Sequence, residues 1–475
     1  MPIPTSRIVA RSSSAPNPDG DYVLYWMIAA RRPHDNFALD RALELCREHG
    51  KPLLVFEPLR RGYRWACDRF HAFVQQGMHD NHDAFEQAGV TYLPYVEPSD
   101  GDDKGLLAAL MERAVAVVTD HYPTFFLRRM VDKVVGEAPV AMEVVDSLGI
   151  VPLADTPKVF TVAHSFRRWL HKNLRPYLHT FPSSDPLEGY DLGAAKVPDL
   201  GDWPNGYQRG ELCLGLGGPG VVELRGGHVA GRAQLDDFVA NRLARYAEAR
   251  NHPDDDAASG LSPWLHFGHV GAHRVVAEVL HRDHWTPDDL ADEPTGKREG
   301  WWGASAEVES FLDEVITWRE VGHVFAHRVP DHDRYDTLPE WARTTLDEHR
   351  DDPRHAYSLD ELADAATDDP IWNAAQNQLR QTGVMHNYLR MLWGKKVLQW
   401  SPSPEEAVRR LIELNNRYAL DGRDPNSYSG IFWVFGRFDR AWGPERPIFG
   451  KVRYMTSEST KKKLHMSDYL ERWTD

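Results

Sequence analysis

The sequence predicts an α/β domain with a doubly wound, Rossmann-like parallel sheet, then a long linker and an all-α domain. Three observations carry this. Short apolar runs alternate with helical stretches from Tyr22 to about Val151, a Pro-, Gly- and Asp-rich stretch follows from Ser184 to Gly210, and nearly every later signal is helical. Residues 22–30, 52–56, 91–96, 114–119 and 140–145 read as strands, with helices over 37–48 and 67–88 between them. Strands separated by helices of that length return to a parallel sheet. The first twenty residues contain Pro, Ser, Asn and Gly without an apolar signal core and read as a flexible tail. The expected division is a tail over 1–20, an α/β domain over 21–155, a connecting helix and linker over 156–210 and a helical domain over 211–475. In that last part Leu235, Phe238, Val239, Leu243 and Tyr246 recur at helical spacing.

Composition narrows the class. With 475 residues, 42% hydrophobic and 27% charged, the chain reads as an ordinary soluble globular protein. No stretch is long and apolar enough to span a membrane. Cys46, Cys67 and Cys213 form no CxxC pair, which suits a reducing cytoplasm. The net charge of −16 argues by itself against a nucleic-acid partner, because DNA affinity comes largely from neutralised phosphates. One segment opposes that average. Residues 436–463 carry eight basic side chains (Arg437, Arg440, Arg446, Lys451, Arg453, Lys461, Lys462, Lys463) against Asp439, Glu445 and Glu458. Phe438, Trp442, Phe449 and Tyr454 are interleaved with them, a pattern suited to tracking phosphates and stacking bases, although a solvated face is the commoner origin of a charge cluster.

Other motifs are weighed in the same way. Gly215-Leu216-Gly217-Gly218-Pro219-Gly220 fits GxGxxG, but no convincing strand precedes it and no helix opens from it, so it reads as a loop. No GxSxG elbow, Walker A motif or metal-ligand pattern is present; His323 and His327 lack an accompanying HExxH or Cys cluster. Ser403, Pro404 and Glu406 start a helix with a capping box, and Asn415 falls on its apolar stripe with Val408, Leu411 and Ile412. A buried amide there needs partners, either backbone or a polar ligand held between helices. The run from Val384 to Trp400 is apolar around its circumference, which predicts a deep helix with Asn387 and Met391 on one face. Trp393 and Trp400 lie on another, about 10 Å apart, as core packing unless a redox cofactor lies nearby. Asp421-Gly422-Arg423-Asp424-Pro425-Asn426 is a turn whose charges either serve the turn itself or hold a polar ring edge.

Taken in order, the helical motifs resemble a known family. These are Leu261-Ser262-Pro263-Trp264-Leu265-His266-Phe267-Gly268, Met385-His386-Asn387-Tyr388-Leu389-Arg390-Met391, Trp393-Gly394-Lys395-Lys396, Leu420-Asp421-Gly422-Arg423-Asp424-Pro425-Asn426 and Phe449-Gly450-Lys451-Val452-Arg453-Tyr454-Met455. The set resembles the class II cyclobutane pyrimidine dimer photolyases of the photolyase/cryptochrome family, from about Tyr22 to Met455. Leu24-Tyr25-Trp26-Met27 and Asn36-Phe37-Ala38-Leu39 match more loosely.

The resemblance implies FAD in the helical domain, with Tyr246, Ser259, Leu261 and Ser262 on its phosphate side. Arg319, Asn387, Arg390, Asp421 and Asp424 belong to the same cofactor set, and Asn415 faces the flavin ring. Three positions depart from the pattern: Ala258 replaces an expected Thr, Asn387 a frequent Gly, and Pro444 is an extra residue. Glu314, Trp318, Met391 and Trp433 match the dimer pocket. Four residues apart on a helix, Glu314 and Trp318 share a face, and a Glu in an apolar pocket would stay protonated and donate to the lesion. Trp372, Trp393 and Trp400 match the family's photoreduction chain, with Trp400 outermost, and Asp439, Arg440, Trp442 and Arg453 its DNA-contacting region. The implied function is light-driven repair of dimers in UV-damaged DNA by a monomeric cytoplasmic lyase, with a deazaflavin-type antenna pigment in the N-terminal domain. The rival is a cryptochrome-like photoreceptor that shares flavin and fold but does not repair. Repair of the (6-4) lesion would call for catalytic His residues in the pocket, a pattern not found here.

Overall fold

The computed structural model describes residues 2–474. Its sheet contains β1 Ile8–Arg11, β2 Tyr22–Trp26, β3 Leu53–Leu59, β4 Thr91–Val96, β5 Ala114–Asp120 and β6 Ala141–Val145, in the order β1-β6-β5-β2-β3-β4. All neighbours are parallel except β1, which runs antiparallel to β6. Successive residues of β2 point to opposite faces. Tyr22, Leu24 and Trp26 enter one core, Val23 and Tyr25 the other. Burial on both faces is what parallel strands covered by helices require. The helices between strands are α1 Phe37–His49, α2 Asp68–Gln87, α3 Leu106–Glu112 and α4 Phe125–Glu137. Asn36 caps α1 by accepting from the amides of Ala38 and Leu39, and Gly50 closes it at φ +62°.

Two details differ from the sequence reading. The expected flexible tail contains β1, and Arg7 just before it is buried and donates to the carbonyls of Gly149 (2.8 Å) and Ile150 (2.7 Å). Four strand residues at a sheet edge, three half-buried and Arg11 exposed, leave too little alternation to read. The strand expected over 22–30 stops at Trp26, because the amides of Ile28, Ala29 and Ala30 turn onto the Asp120 carboxylate at 2.8, 2.8 and 3.0 Å. Asp120 thereby ties together the ends of β2 and β5, where the strand order changes direction. The glycine-rich segment 215–220 is a loop, with the Gly215 and Leu216 amides bonded to Asp68.

The chain forms two compact units. One holds the chain through Pro157 together with Pro176–Gln234 and Leu261–Ala277; the other holds Lys158–Arg175, Leu235–Gly260 and the chain from Glu278 onward. Most of the linker, and residues 211–234, thus belong with the sheet.

The second unit is helical. Its site-bearing helices are α5 Ala306–Leu312, which continues through a π-helical turn Asp313–Trp318 into α6 Arg319–Arg328, then α7 Pro370–Thr382, α8 Asn387–Gln399, α9 Pro404–Tyr418 and α10 Pro425–Val434. The Ser403 cap on α9 is present, its side chain accepting from the Glu406 amide. Helix α10 packs on both α6 and α8. Gly322 and Gly394 permit this closeness. A Cβ on Gly322 would lie 2.7 Å from Ser429 Oγ, and one on Gly394 2.5 Å from Val434 Cγ2. No helix among the described residues is long and apolar enough to cross a membrane.

Candidate active site of the helical unit

From Phe311 to Ala326 every residue is buried except Glu314 and Trp318, which are half-buried. Two partly open side chains in an otherwise sealed run mark the face of this segment that is not packed. The backbone there is the π turn, whose hydrogen bonds reach one residue further than in an α-helix and which recurs at functional sites. In place of the ordinary helix expected from the i,i+4 spacing, Glu314 and Trp318 sit on this wider turn, and both remain half-buried. The expected apolar setting of Glu314 is not found. Its carboxylate is ion-paired with Arg250 at 2.5 Å, and the same guanidinium reaches the Tyr246 hydroxyl at 3.5 Å and lies over the Tyr246 ring at 5.2 Å. Burial alone would lower the Arg250 pKa; Glu314 and Tyr246 together outweigh it and raise the pKa overall. Burial pushes the Tyr246 phenol up. Sequence reasoning missed Arg250, because a basic residue in the acidic loop region after Tyr246 carries no pattern of its own.

A polar corner forms where α9 ends. Asn415 is buried, and one end of its amide donates to Ser427 Oγ at 2.6 Å. The opposite end, its side-chain oxygen, accepts nothing from the described residues. The turn after α9 is fastened to the helix by Asn416, which accepts from the Arg423 amide at 2.8 Å, while Arg423 donates back to the Asn416 carbonyl at 2.7 Å. Gly422 makes the close approach possible, since a Cβ there would lie 2.8 Å from the Asn415 carbonyl oxygen. Held in this way, Asp421 meets Arg390 of α8 in a two-pronged pair at 3.0 and 3.1 Å. Asp424 caps α10, accepting from the Asn426 amide at 2.8 Å. Along α10 the less buried residues are Asn426, Ser427, Gly430 and Trp433, of which Asn426, Gly430 and Trp433 follow one helical stripe, and a Cβ on Gly430 would meet nothing within 4 Å.

Met391 of α8 is half-buried and Asn387 at its start is exposed. Arg319 is buried and Ser259 half-buried. Leu261 (buried) and Ser262 (exposed, opening the helix Ser262–His266) belong to the sheet-containing unit. An apolar helix with an open stripe, beside an amide with one unused end and a cation–carboxylate pair, is a donor and acceptor set that fits a planar polar-edged ring such as a flavin.

Trp372, Trp393 and Trp400 are all buried and touch in series. Trp372 and Trp393 stack with centroids 6.2 Å apart and planes within 5° of parallel; Trp372 and Trp400 meet edge-on at 5.6 Å. The order in space is therefore Trp393–Trp372–Trp400, an arrangement that linear spacing does not contain. The Trp372 Nε1–H donates to the Trp393 carbonyl at 3.1 Å and the Trp393 Nε1–H to Gln376 at 3.0 Å. Lys396 lies over Trp400 at 5.3 Å and is paired with Asp369 at 3.1 Å.

The basic segment gathers around Asp439. Its carboxylate accepts from Arg453 Nε at 2.9 Å and Trp442 Nε1 at 3.1 Å, and the Trp442 ring contacts both Arg453 (4.1 Å) and Arg440 (4.6 Å). The Trp442 amide donates to the Lys451 carbonyl at 2.8 Å, closing the loop that carries Arg446. Arg437, counted among the surface charges in the sequence reading, is instead buried with its guanidinium 4.2 Å from the Phe325 ring. The Lys395 ammonium, also unforeseen, is fully buried. It donates to the Val434 carbonyl at 2.5 Å and lies 5.0 Å from the Trp433 ring. Burial pushes its pKa down to about 7, with Asp439 pulling up and Arg453 pushing down.

The deoxyribodipyrimidine photo-lyase of Methanothermobacter thermautotrophicus is 33% identical to this chain over 472 residues, 99% of this chain and 98% of the relative. The chain belongs to the deoxyribodipyrimidine photo-lyase family. The enzyme of that name from Arabidopsis thaliana is likewise 33% identical, over 94% of this chain and 88% of its own. A class III photolyase from Agrobacterium tumefaciens shares the fold, with a TM-score of 0.71 at 19% identity over 97% of this chain and 88% of that one. No family model matches. Photolyases are flavoproteins of DNA repair, and the donor set described above suits such a cofactor.

Proposed function

We propose that this protein is a light-driven lyase that splits cyclobutane pyrimidine dimers in DNA. The observation that carries the reading is the series of three touching buried indoles on α7, α8 and the end of α8, in the same unit as a half-buried Glu–Trp pair and a basic, aromatic loop. FAD would be held in the helical unit by Tyr246, Ser259, Arg319, Asn387, Arg390, Asn415, Asp421 and Asp424; when bound and reduced, it would supply an electron released by light.

The protein's own residues do the rest. The basic loop with Arg440, Trp442 and Arg453 meets the phosphates and fills the gap in the duplex. Enzymes that act on a base take it out of the stack, and photolyases are among the standard instances of that rule. Trp318, Trp433 and Met391 offer apolar faces to the flipped dimer. The electron that reaches the dimer places negative charge on it before its bonds break, and Arg250, held by the Glu314 carboxylate, is the cationic group at hand to stabilise that charge. Trp400, Trp372 and Trp393 would form a path of touching indoles along which an electron from an external reductant could reach the cofactor. The electron returns at the end, so no net oxidation occurs. An antenna pigment of deazaflavin type in the sheet-containing unit, a cytoplasmic location and a monomeric state complete the reading.

The test is anaerobic photoreduction of the purified protein, followed by illumination with a dimer-containing oligonucleotide. Restoration of intact pyrimidines is expected. A flavin-loaded protein that leaves the dimer untouched would point to a photoreceptor.

A further inference from the structure

A buried ammonium with no carboxylate partner is costly, because desolvation is offset only by what the cation touches. Lys395 is 0% exposed, and no Asp or Glu among the described residues lies within ion-pair distance of it. What it touches is the last turn of α10: the Val434 carbonyl and the ring of Trp433. Gly394 brings α8 against Val434 at this level. The Trp433 ring is half-buried and takes a second cation, Arg453, at 5.5 Å. Arg453 continues to Trp442 at 4.1 Å, and Trp442 to Arg440 at 4.6 Å. Cations and indoles thus alternate, Lys395–Trp433–Arg453–Trp442–Arg440, from the core of the unit to its exposed loop, with Asp439 as the carboxylate bonded to Arg453 and Trp442.

We propose that Lys395 is a positioning residue for lesion recognition, fixing the Trp433 ring at the inner end of a cation–indole series that links the lesion pocket to the DNA-contacting loop. This rests on the reading of Trp433 as a face of the dimer pocket. Cation–ring contacts strengthen when desolvated, so the innermost contact is the one best able to hold a ring in one orientation. A flipped dimer then meets a pre-set surface and does not have to order it. An undamaged duplex, which has nothing to insert, engages only the exposed loop. The site therefore separates affinity for DNA, carried by Arg440 and Arg453, from preference for damage, carried by the anchored ring.

The test uses the purified holoprotein in the dark at pH 6.5, where Asp439 and Arg453 are the charged groups acting on Lys395. Affinities for a duplex with one thymine dimer and for the same duplex undamaged are measured for wild type, Lys395→Met and Lys395→Gln. The damaged-to-undamaged preference should fall about tenfold in Lys395→Met, equivalent to about 1.4 kcal/mol, while affinity for undamaged duplex is retained. Thermal stability should stay at or above the wild-type level, which a merely structural amine would not allow. In a Trp433→Phe background the Lys395 substitution should cost little further preference. If wild type shows no preference for damage, the pocket reading fails and the proposal with it. If wild type discriminates and Lys395→Met or Lys395→Gln does so equally, the pocket reading stands and the role of Lys395 is refuted. Failure of both variants to fold would make the amine a structural anchor and refute it too.

Discussion

Replacing Lys395 with Met should change how the helical unit responds to pH. The side chain titrates at 10.5 when free and at about 7 in the fold, where burial is the main cause, Asp439 opposes it and Arg453 adds to it. The charged form is therefore disfavoured by folding. Above pH 10.5 the amine is neutral in both states and folding loses nothing. As pH falls from 10.5 to about 7 the unfolded chain binds a proton that the folded chain resists, so stability drops; below 7 the loss is constant. The full loss is about 5 kcal/mol at 1.36 kcal/mol per unit, of which about 2 kcal/mol falls between pH 7 and pH 9. Met is close in volume and carries no charge, so the variant lacks this component. Urea unfolding of both proteins at pH 7 and pH 9, followed by circular dichroism, reads the difference. Wild type should gain about 2 kcal/mol on the variant between the two pH values. Parallel pH dependence in the two proteins would show that the amine is not desolvated as the structure has it, and would refute the reasoning.

Four further outcomes are expected. Glu314→Ala should lower repair yield while flavin content persists, and equal repair would remove Glu314 from the reaction. Trp400→Phe should slow photoreduction but spare repair by chemically reduced protein; transient absorption after a laser flash reads the first and dimer loss the second. Gly422→Ala places a Cβ 2.8 Å from the Asn415 carbonyl, so the turn must shift and Asp421 with it; flavin retained on gel filtration should fall. Arg440→Ala should weaken binding to damaged and undamaged duplex alike and reduce the slope of log affinity against log salt by about 0.9, the share of one phosphate contact.

The residues proposed for the site stand out in the sequence where they break a local pattern. Asn415 interrupts an apolar stripe, Asp421 and Asp424 crowd a turn, and the basic run after Gly436 opposes an acidic chain. The residues that escaped notice break no pattern where they stand. Arg250 matters because α5 and the π turn bring Glu314 to it across 64 positions. Lys395 sits in a Lys-Lys pair of which one member is buried under Trp433 and the other lies over Trp400, and adjacent identical residues give no sign of which is which. Arg437 counts as a surface charge by composition and is a buried cation against Phe325 by packing.

By itself the sequence determined the classes of element and their order: apolar runs of strand length between helices, a Pro- and Gly-rich passage, then amphipathic helices with their caps. These are local consequences of side-chain period and backbone preference, so they survive without knowledge of partners. Only the tertiary structure decided that β1 closes the sheet edge, that residues 28–30 leave the ladder for Asp120, and that Trp372 stands between Trp393 and Trp400. Contacts of that kind depend on which faces meet across long stretches of chain, and burial there sets whether a charge is solvated, paired or left to a ring.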